Sequence, residues 1–317
     1  MIDHQAATID HSRYRMDPGR LIIALQIGFY TGLLSWLDFA NGGSTDFVWA
    51  IRSARDLLAG KDPYNYPFDM DRIPYPLPAA LVGIPFSVLS DRFGTALFFG
   101  ISSALLALGI SRFGKHRLLV FLSMPFVSAL HAGQWTPLIM SAAFYPILSW
   151  LTLTKPQVGL PVFLLNINRK TIALCIGFLA LSLTVYPGWP WRWLSQIGAY
   201  DRFFPLLTLP GIFLLSSLCN YRSWSAAFLL ICSIMPQKIY YDTLILWLIP
   251  ETKGELVFTV ALSWIPAIFR NVFPTVEAAR IFIVVFIYLP MCFLVITNRS
   301  NNVVLRGWKS WNNTLQP

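Results

Sequence analysis

Five stretches of this sequence run without a single formal charge: Leu21 to Leu37, Thr95 to Ser111, Pro137 to Thr154, Thr171 to Tyr186 and Ile281 to Thr297. A helix needs about 17 to 25 mostly apolar residues to cross the hydrocarbon layer of a bilayer, so these stretches read as membrane spans. Shorter apolar runs at Leu77 to Ser90, Leu118 to Leu130, Phe204 to Cys219 and Leu256 to Phe269 reach across only with interfacial residues at their ends. Together they make roughly eight to ten spans, the stretch from Ser225 to Pro250 being the ambiguous one. Backbone exposed to lipid must satisfy its own hydrogen bonds, so the expected fold class is all-α, a polytopic transmembrane helix bundle. Composition agrees. Only 12% of the 317 residues are charged, about half the share in a soluble globular chain, which leaves too little polar surface to coat a body in water.

The net charge of +9 does not point to nucleic acid, because the bases sit at the ends of apolar blocks and form no basic stripe. Positive residues beside spans mark cytoplasmic loops. Arg13, Arg15 and Arg20 near one end, and Arg299, Arg306 and Lys309 near the other, place both tails inside and favour an even number of spans. The expected organisation is a cytoplasmic tail over 1–20, a transmembrane domain over 21–297 and a second cytoplasmic tail over 298–317. Arg169 and Lys170 mark another inner loop. Arg112, Lys115 and Arg117 ask for the same side and do not fit one simple topology, so one hairpin is expected to be re-entrant. The first 20 residues are too polar for a signal peptide, so the first span is expected to stay as an uncleaved anchor. Cys175, Cys219, Cys232 and Cys292 lie in or beside apolar blocks with no metal or redox spacing and read as packing residues. The four histidines form no zinc signature.

Acids are scarce, and their placement is informative. Of 15 acidic residues, six fall between Asp38 and Arg72: Asp38, Asp46, Asp56, Asp62, Asp69 and Asp71. With the N-terminus inside, the first span delivers this loop, residues 38–76, to the outer face. Ser44, Thr45 and Asp46 are good helix N-caps. Phe47, Ile51, Ala54 and Leu58 recur at helical spacing, and Gly60 supplies a stop. Arg52 and Asp56 lie opposite, four residues apart. The segment predicts an amphipathic helix resting on the membrane surface. Asp62-Pro63-Tyr64 then makes a turn, and Tyr75-Pro76 opens the second span, since proline suits the first helical turn.

Thr45-Asp46-Phe47, the segment ending Ala59-Gly60-Lys61-Asp62-Pro63-Tyr64, and Tyr75-Pro76-Leu77-Pro78 resemble the first outer loop of the GT-C membrane glycosyltransferases. The nearest branch is the polyprenol-phosphate-mannose-dependent mannosyltransferases, including those that extend phosphatidylinositol mannosides. Gly133-Gln134 resembles the start of that family's Gly-Gln-x-Asn motif, with Thr136 in place of the Asn. Lys155-Pro156-Gln157 is similar to its Lys-Pro element, and Tyr186-Pro187-Gly188-Trp189-Pro190-Trp191 and Tyr241-Asp242 match in order. The matches span residues 45 to 245. The chain is short for the family, and only about twenty residues separate Gln134 from Lys155, where longer members fit a hairpin.

The resemblance implies a GT-C-like bundle in the plasma membrane with its site on the outer face. It implies transfer of a hexose, mannose favoured, from a polyprenyl-phosphate donor to a lipid or glycan acceptor, with inversion. No cofactor is implied, and a divalent cation is left open. Such a reaction needs a base for the acceptor hydroxyl, cations for the phosphate and an apolar groove for the polyprenyl tail. The leaving group is already an anion, so the second carboxylate of glycoside hydrolysis is not required. Asp46 is the candidate base, a role compatible with capping the helix. Arg52 and Arg55 are candidates for the donor phosphate, or simply touch lipid headgroups. Lys155 binds phosphate or snorkels from a span end. Asp242 and Tyr75 join the candidate substrate site, although a salt bridge to Lys238 explains Asp242 equally. His131 and Gln134 suit a sugar, or form a polar helix start beside an interfacial Trp135. Trp189, Trp191 and Trp193 read as an aromatic belt. A non-catalytic membrane protein, such as a lipid-carrier flippase or a partner in a glycosylation complex, needs the bundle but no carboxylate at 46. A secondary transporter fits less well, because there is no internal repeat and the acids lie in a loop.

Overall fold

The first helix begins where its end groups are satisfied. Asp17 accepts the Gly19 N–H on its carboxylate, and Pro18 fills the first position, where no N–H is needed. The computed structural model describes residues 17–43, 45–65, 74–197, 202–238, 240–269 and 275–297. Over these residues the chain is all-helical, with no strand beyond a single antiparallel bridge between Phe203 and Gln237. The α-helices are α1 (Pro18–Phe39), α2 (Val48–Leu58), α3 (Leu77–Gly83), α4 (Asp91–Ile110), α5 (Met124–Ala132), α6 (Thr136–Ser141), α7 (Pro156–Leu165), α8 (Arg169–Val185), α9 (Trp189–Ile197), α10 (Trp224–Ile234), α11 (Lys253–Ile268), α12 (Val276–Ile283) and α13 (Leu289–Thr297). Longer 3-10 segments at Lys115–Leu122, Pro146–Thr154, Gly211–Asn220 and Tyr240–Leu248 link them. Most of both expected tails, Ser44, and the loop residues Asp69, Asp71 and Arg72 lie outside the described residues.

Among the described residues, three helical segments are long and apolar enough to cross a membrane: α1, Asp91–Phe113, and Val276–Thr297, which runs from α12 into α13 through a π-helical turn. At 1.5 Å per residue each is about 33 Å long, against about 30 Å of hydrocarbon. α8 and α9 make a fourth only if counted together, and the chain bends by 95° between them. The other apolar runs fold as helices of 6 to 17 residues or as 3-10 turns. Proline is one reason. Pro85 falls in the 3-10 turn that ends α3, and Pro146 restarts the chain as a 3-10 segment within the expected span Pro137 to Thr154.

α1 inverts the pattern of a soluble helix. Its buried face is Ala24, Gly28, Thr31 and Ser35, while Leu25, Phe29, Leu33 and Leu37 face outward. In water such a face invites aggregation; in a bilayer it meets lipid, and small residues do the packing. A Cβ at Gly28 would lie 2.7 Å from the Gly100 carbonyl oxygen, and one at Gly100 would lie 2.8 Å from the Gly28 carbonyl oxygen. The two backbones therefore touch where they cross.

Periodicity predicts an amphipathic second helix, and in the structure its apolar face packs against protein. Phe47, Ile51 and Ala54 are fully buried, and the Phe47 ring stacks on Phe98 with centroids 3.6 Å apart. Gly83 of α3 leaves no room for a side chain against the Ala50 carbonyl. Only Leu58 of the expected apolar stripe stays exposed. The amphipathicity is real, but the apolar face meets α3 and α4.

Candidate functional site

The bonds that hold the first loop also set the position of Asp46. Its backbone N–H donates to the Ala132 carbonyl at 2.9 Å, at the end of α5. Gly133 ends that helix in the left-handed region, at φ +64°, where glycine carries no steric penalty. The turn delivers Gln134, which is completely buried, to the same place. Tyr75 arrives from the far end of the loop. Its ring lies between Trp49 and Trp135, 5.9 Å from each, and its carbonyl accepts the Tyr64 hydroxyl at 2.9 Å.

These side chains form one directed chain of hydrogen bonds. Lys155 Nζ donates to Gln134 Oε1 at 2.7 Å. Gln134 Nε2 donates to the Tyr75 hydroxyl, and that hydroxyl donates to Asp46 Oδ2, each at 3.5 Å. The last two contacts stand at the outer limit of hydrogen-bond length. The direction is forced: an ammonium can only donate, so Gln134 must turn its oxygen to Lys155 and its nitrogen to Tyr75. At the other end, Lys155 forms a 2.5 Å ion pair with Asp242 Oδ1; both side chains are almost wholly enclosed, at 4% and 0% exposure. Lys155 also lies 4.6 Å from the Tyr241 ring centroid. Asp242 Oδ2 accepts the backbone N–H of Lys238 at 3.0 Å.

Asp46 keeps a little exposed surface, but protein surrounds it on most sides. That burial raises its carboxyl above the ordinary value. The ammonium of Lys155, then that of Lys238, pulls it back; Asp242 pushes it up again, and the Tyr75 hydrogen bond lowers it. Burial likewise lowers the Lys238 ammonium, which Asp46 and Asp242 help to keep charged.

A cavity of about 370 Å³ lies beside this chain. Tyr75, Lys155, Lys238 and Arg202 supply its polar wall, and Leu160, Ile197, Met235 and Pro236 supply apolar wall, with Trp193 between. α9 roofs it. From that one helix Arg192 pairs with Asp62 at 2.9 Å, Trp193 Nε1 donates to the Pro74 carbonyl at 3.2 Å, and Gln196 Nε2 donates to the Tyr64 carbonyl at 2.8 Å. No group of three metal-ligating side chains occurs among the described residues.

Of the residues singled out from sequence, Asp46, Tyr75, Gln134, Lys155 and Asp242 are brought together. Arg52, Arg55 and His131 are not. Arg52 and Arg55 turn to Asp91 at the start of α4, at 2.8 and 2.7 Å, and Arg55 also donates to the Ser87 and Leu89 carbonyls. His131 reaches Asp38 at 3.0 Å. Lys155 does not snorkel, and it is Lys155 that forms the ion pair with Asp242. The tryptophans divide: Trp191 is exposed, Trp189 is buried and Trp193 lines the cavity. Arg202 carries no sequence signal of its own. Lys238 stands four residues before Asp242, and that spacing suggests only a salt partner.

No family model, curated protein or solved structure matches this chain. Its own residues carry the functional reading.

Proposed function

We propose that this chain is an integral membrane glycosyltransferase. It moves a hexose, mannose favoured by the sequence resemblance, from a polyprenyl-phosphate sugar to a hydroxyl of a lipid or glycan acceptor at the outer face of the plasma membrane. The observation that carries this reading is the pairing of Asp46, linked through Tyr75, with a cavity walled by three cations and by apolar side chains.

Each part answers one requirement of the chemistry. The attacking hydroxyl must lose a proton, and a carboxylate with raised proton affinity accepts it better than an ordinary one. Tyr75 lines the cavity and bonds Asp46, so its hydroxyl passes the proton inward as the acceptor oxygen attacks the anomeric carbon. The bond from that carbon to the phosphate oxygen breaks on the opposite side, and the configuration inverts. The electron pair stays on the phosphate, which leaves as an anion toward Lys238 and Arg202. Lys155, held by Asp242 and Gln134, keeps the relay in register and adds positive charge. Charge stabilisation at a departing oxygen is worth most in an enclosed site of this kind. Leu160, Ile197, Met235 and Pro236 give the polyprenyl chain an apolar exit.

The test supplies membranes containing the chain with a panel of polyprenyl-phosphate hexoses labelled in the sugar, and follows the label into lipid and glycan fractions. Label should move from at least one donor, and Lys238→Gln should raise the KM for that donor. Absence of transfer from every donor, with the chain inserted and folded, would favour a non-catalytic role.

A further inference from the structure

A second space in the molecule is a groove between α1 and α4 on their outward, apolar face. Leu25, Phe29 and Leu33 of α1 form one wall, Leu97 and Ile101 of α4 the other, and the space between is about 370 Å³. Its floor is the glycine contact where α1 and α4 cross. No charged side chain lines it. Such a trough has nothing to offer a water-soluble ligand. It suits a flexible hydrocarbon chain.

One end of the groove differs. Trp36 and Phe93 close it, and the Arg92 guanidinium lies 4.3 Å from the Trp36 ring centroid while its Nε donates to the Trp36 carbonyl at 2.8 Å. Asp91, the neighbour of Arg92, takes Arg52 and Arg55. Three guanidiniums thus gather at the positive end of a 20-residue helix: Arg52 and Arg55 pair there with Asp91, and Arg92 is held by Trp36. Arg55 is spent on Asp91 and two carbonyls. Arg52 is about half exposed, at 48%. Arg52 and Arg92 each engage the protein through Nε, which leaves their Nη groups for an anion.

We propose that this groove is a binding site for an anionic phospholipid, with an acyl chain between α1 and α4 and the phosphate on Arg52 and Arg92. Net positive charge at the mouth selects against zwitterionic lipid, whose own cation meets the guanidiniums. The α1–α4 glycines already face each other, so no small-residue stripe remains for a second copy of the chain. The site is separate from the transfer reading, because it lies outside the cavity and can be measured without any sugar.

The experiment titrates the purified full chain in detergent with phosphatidylglycerol or phosphatidylcholine and counts retained lipid by native mass spectrometry. A phosphatidylglycerol carrying a diazirine in its acyl chain then locates the site. The wild type should hold one phosphatidylglycerol about fivefold more tightly than phosphatidylcholine, the order expected for a basic residue at a lipid surface, and the label should fall on α1 and α4. Arg52→Gln, at an exposed position, should abolish most of the preference, and Leu97→Trp should reduce retention of both lipids by filling the trough. Equal retention of the two lipids by the wild type, label elsewhere, or a dimer in place of bound lipid would each overturn the proposal.

Discussion

A carboxylate enclosed by protein holds its proton more tightly than one in water, and Asp46 is held in that state by its surroundings. The sign follows for both stability and rate. The folded carboxyl is raised above its unfolded value, so folding stability falls as pH rises from the ordinary carboxylate value through the raised one. The proposed base works only when ionised, so transfer should increase over the same interval, with an acid limb above that of a free aspartate. Lys238 lowers the Asp46 carboxyl; Lys238→Gln should therefore move that limb to higher pH, as read from the pH profile of kcat. An unmoved limb would detach Lys238 from Asp46. The buried pair makes a separate prediction. Lys155→Met strands Asp242 without its cation and should cost about 3 to 5 kcal/mol in thermal or denaturant unfolding, whereas Lys155→Met with Asp242→Leu should recover much of that loss. Gln134, Lys155 and Asp242 were legible in the sequence because charge and amide groups are expensive among apolar runs, whereas Asp46 stood out at the start of the loop helix and Tyr75 only through the family resemblance. Arg202 was not, since an arginine beside an apolar block is ordinary at a membrane boundary. Arg52 and Arg55 were misplaced by distance along the chain: they follow Asp46 closely, but Asp91, far away in sequence, captures them.

At the scale of elements, the contact between α1 and α4 depends on the absence of side chains. Gly100→Ile would press into the Gly28 backbone and should lower stability by about 1 to 3 kcal/mol or more. Gly177, within α8, has open space where a Cβ would sit, with nothing within 4 Å, and Gly177→Ile should be close to neutral. Unfolding of the two variants side by side checks this, and equal losses would mean that the crossing is not set by the glycines. The helix over 48–58 was readable from its period and its stop at Gly60, which adopts φ +69°. What it packs against was not, because an apolar stripe looks the same whether it meets lipid or another helix. α9 is a similar case. Its tryptophans suggest an interfacial belt, yet Arg192, Trp193 and Gln196 bind it to the first loop. Side-chain partners more than a hundred residues away leave no mark on local periodicity.

For the whole molecule, composition was enough to read an all-helical membrane chain, and the helices long enough to span agree with it. Span number was harder, since hydropathy counts apolar residues and does not register where proline turns a run into short helices and 3-10 segments. Orientation gives a direct check. A cysteine replacing Lys61, beside Asp62 in the first loop, should react with an impermeant maleimide on intact cells; reaction only after permeabilisation would put the loop, and the cavity beneath it, on the inner side. Transfer as proposed turns on one carboxylate. The decisive measurement is sugar transfer from a polyprenyl-phosphate hexose by Asp46→Asn, in membranes where its insertion and melting temperature match or exceed those of the wild type. The rate should fall by about 10² to 10⁴ with the fold intact, because the amide keeps the shape and removes the base. Transfer at the wild-type rate would contradict a catalytic Asp46.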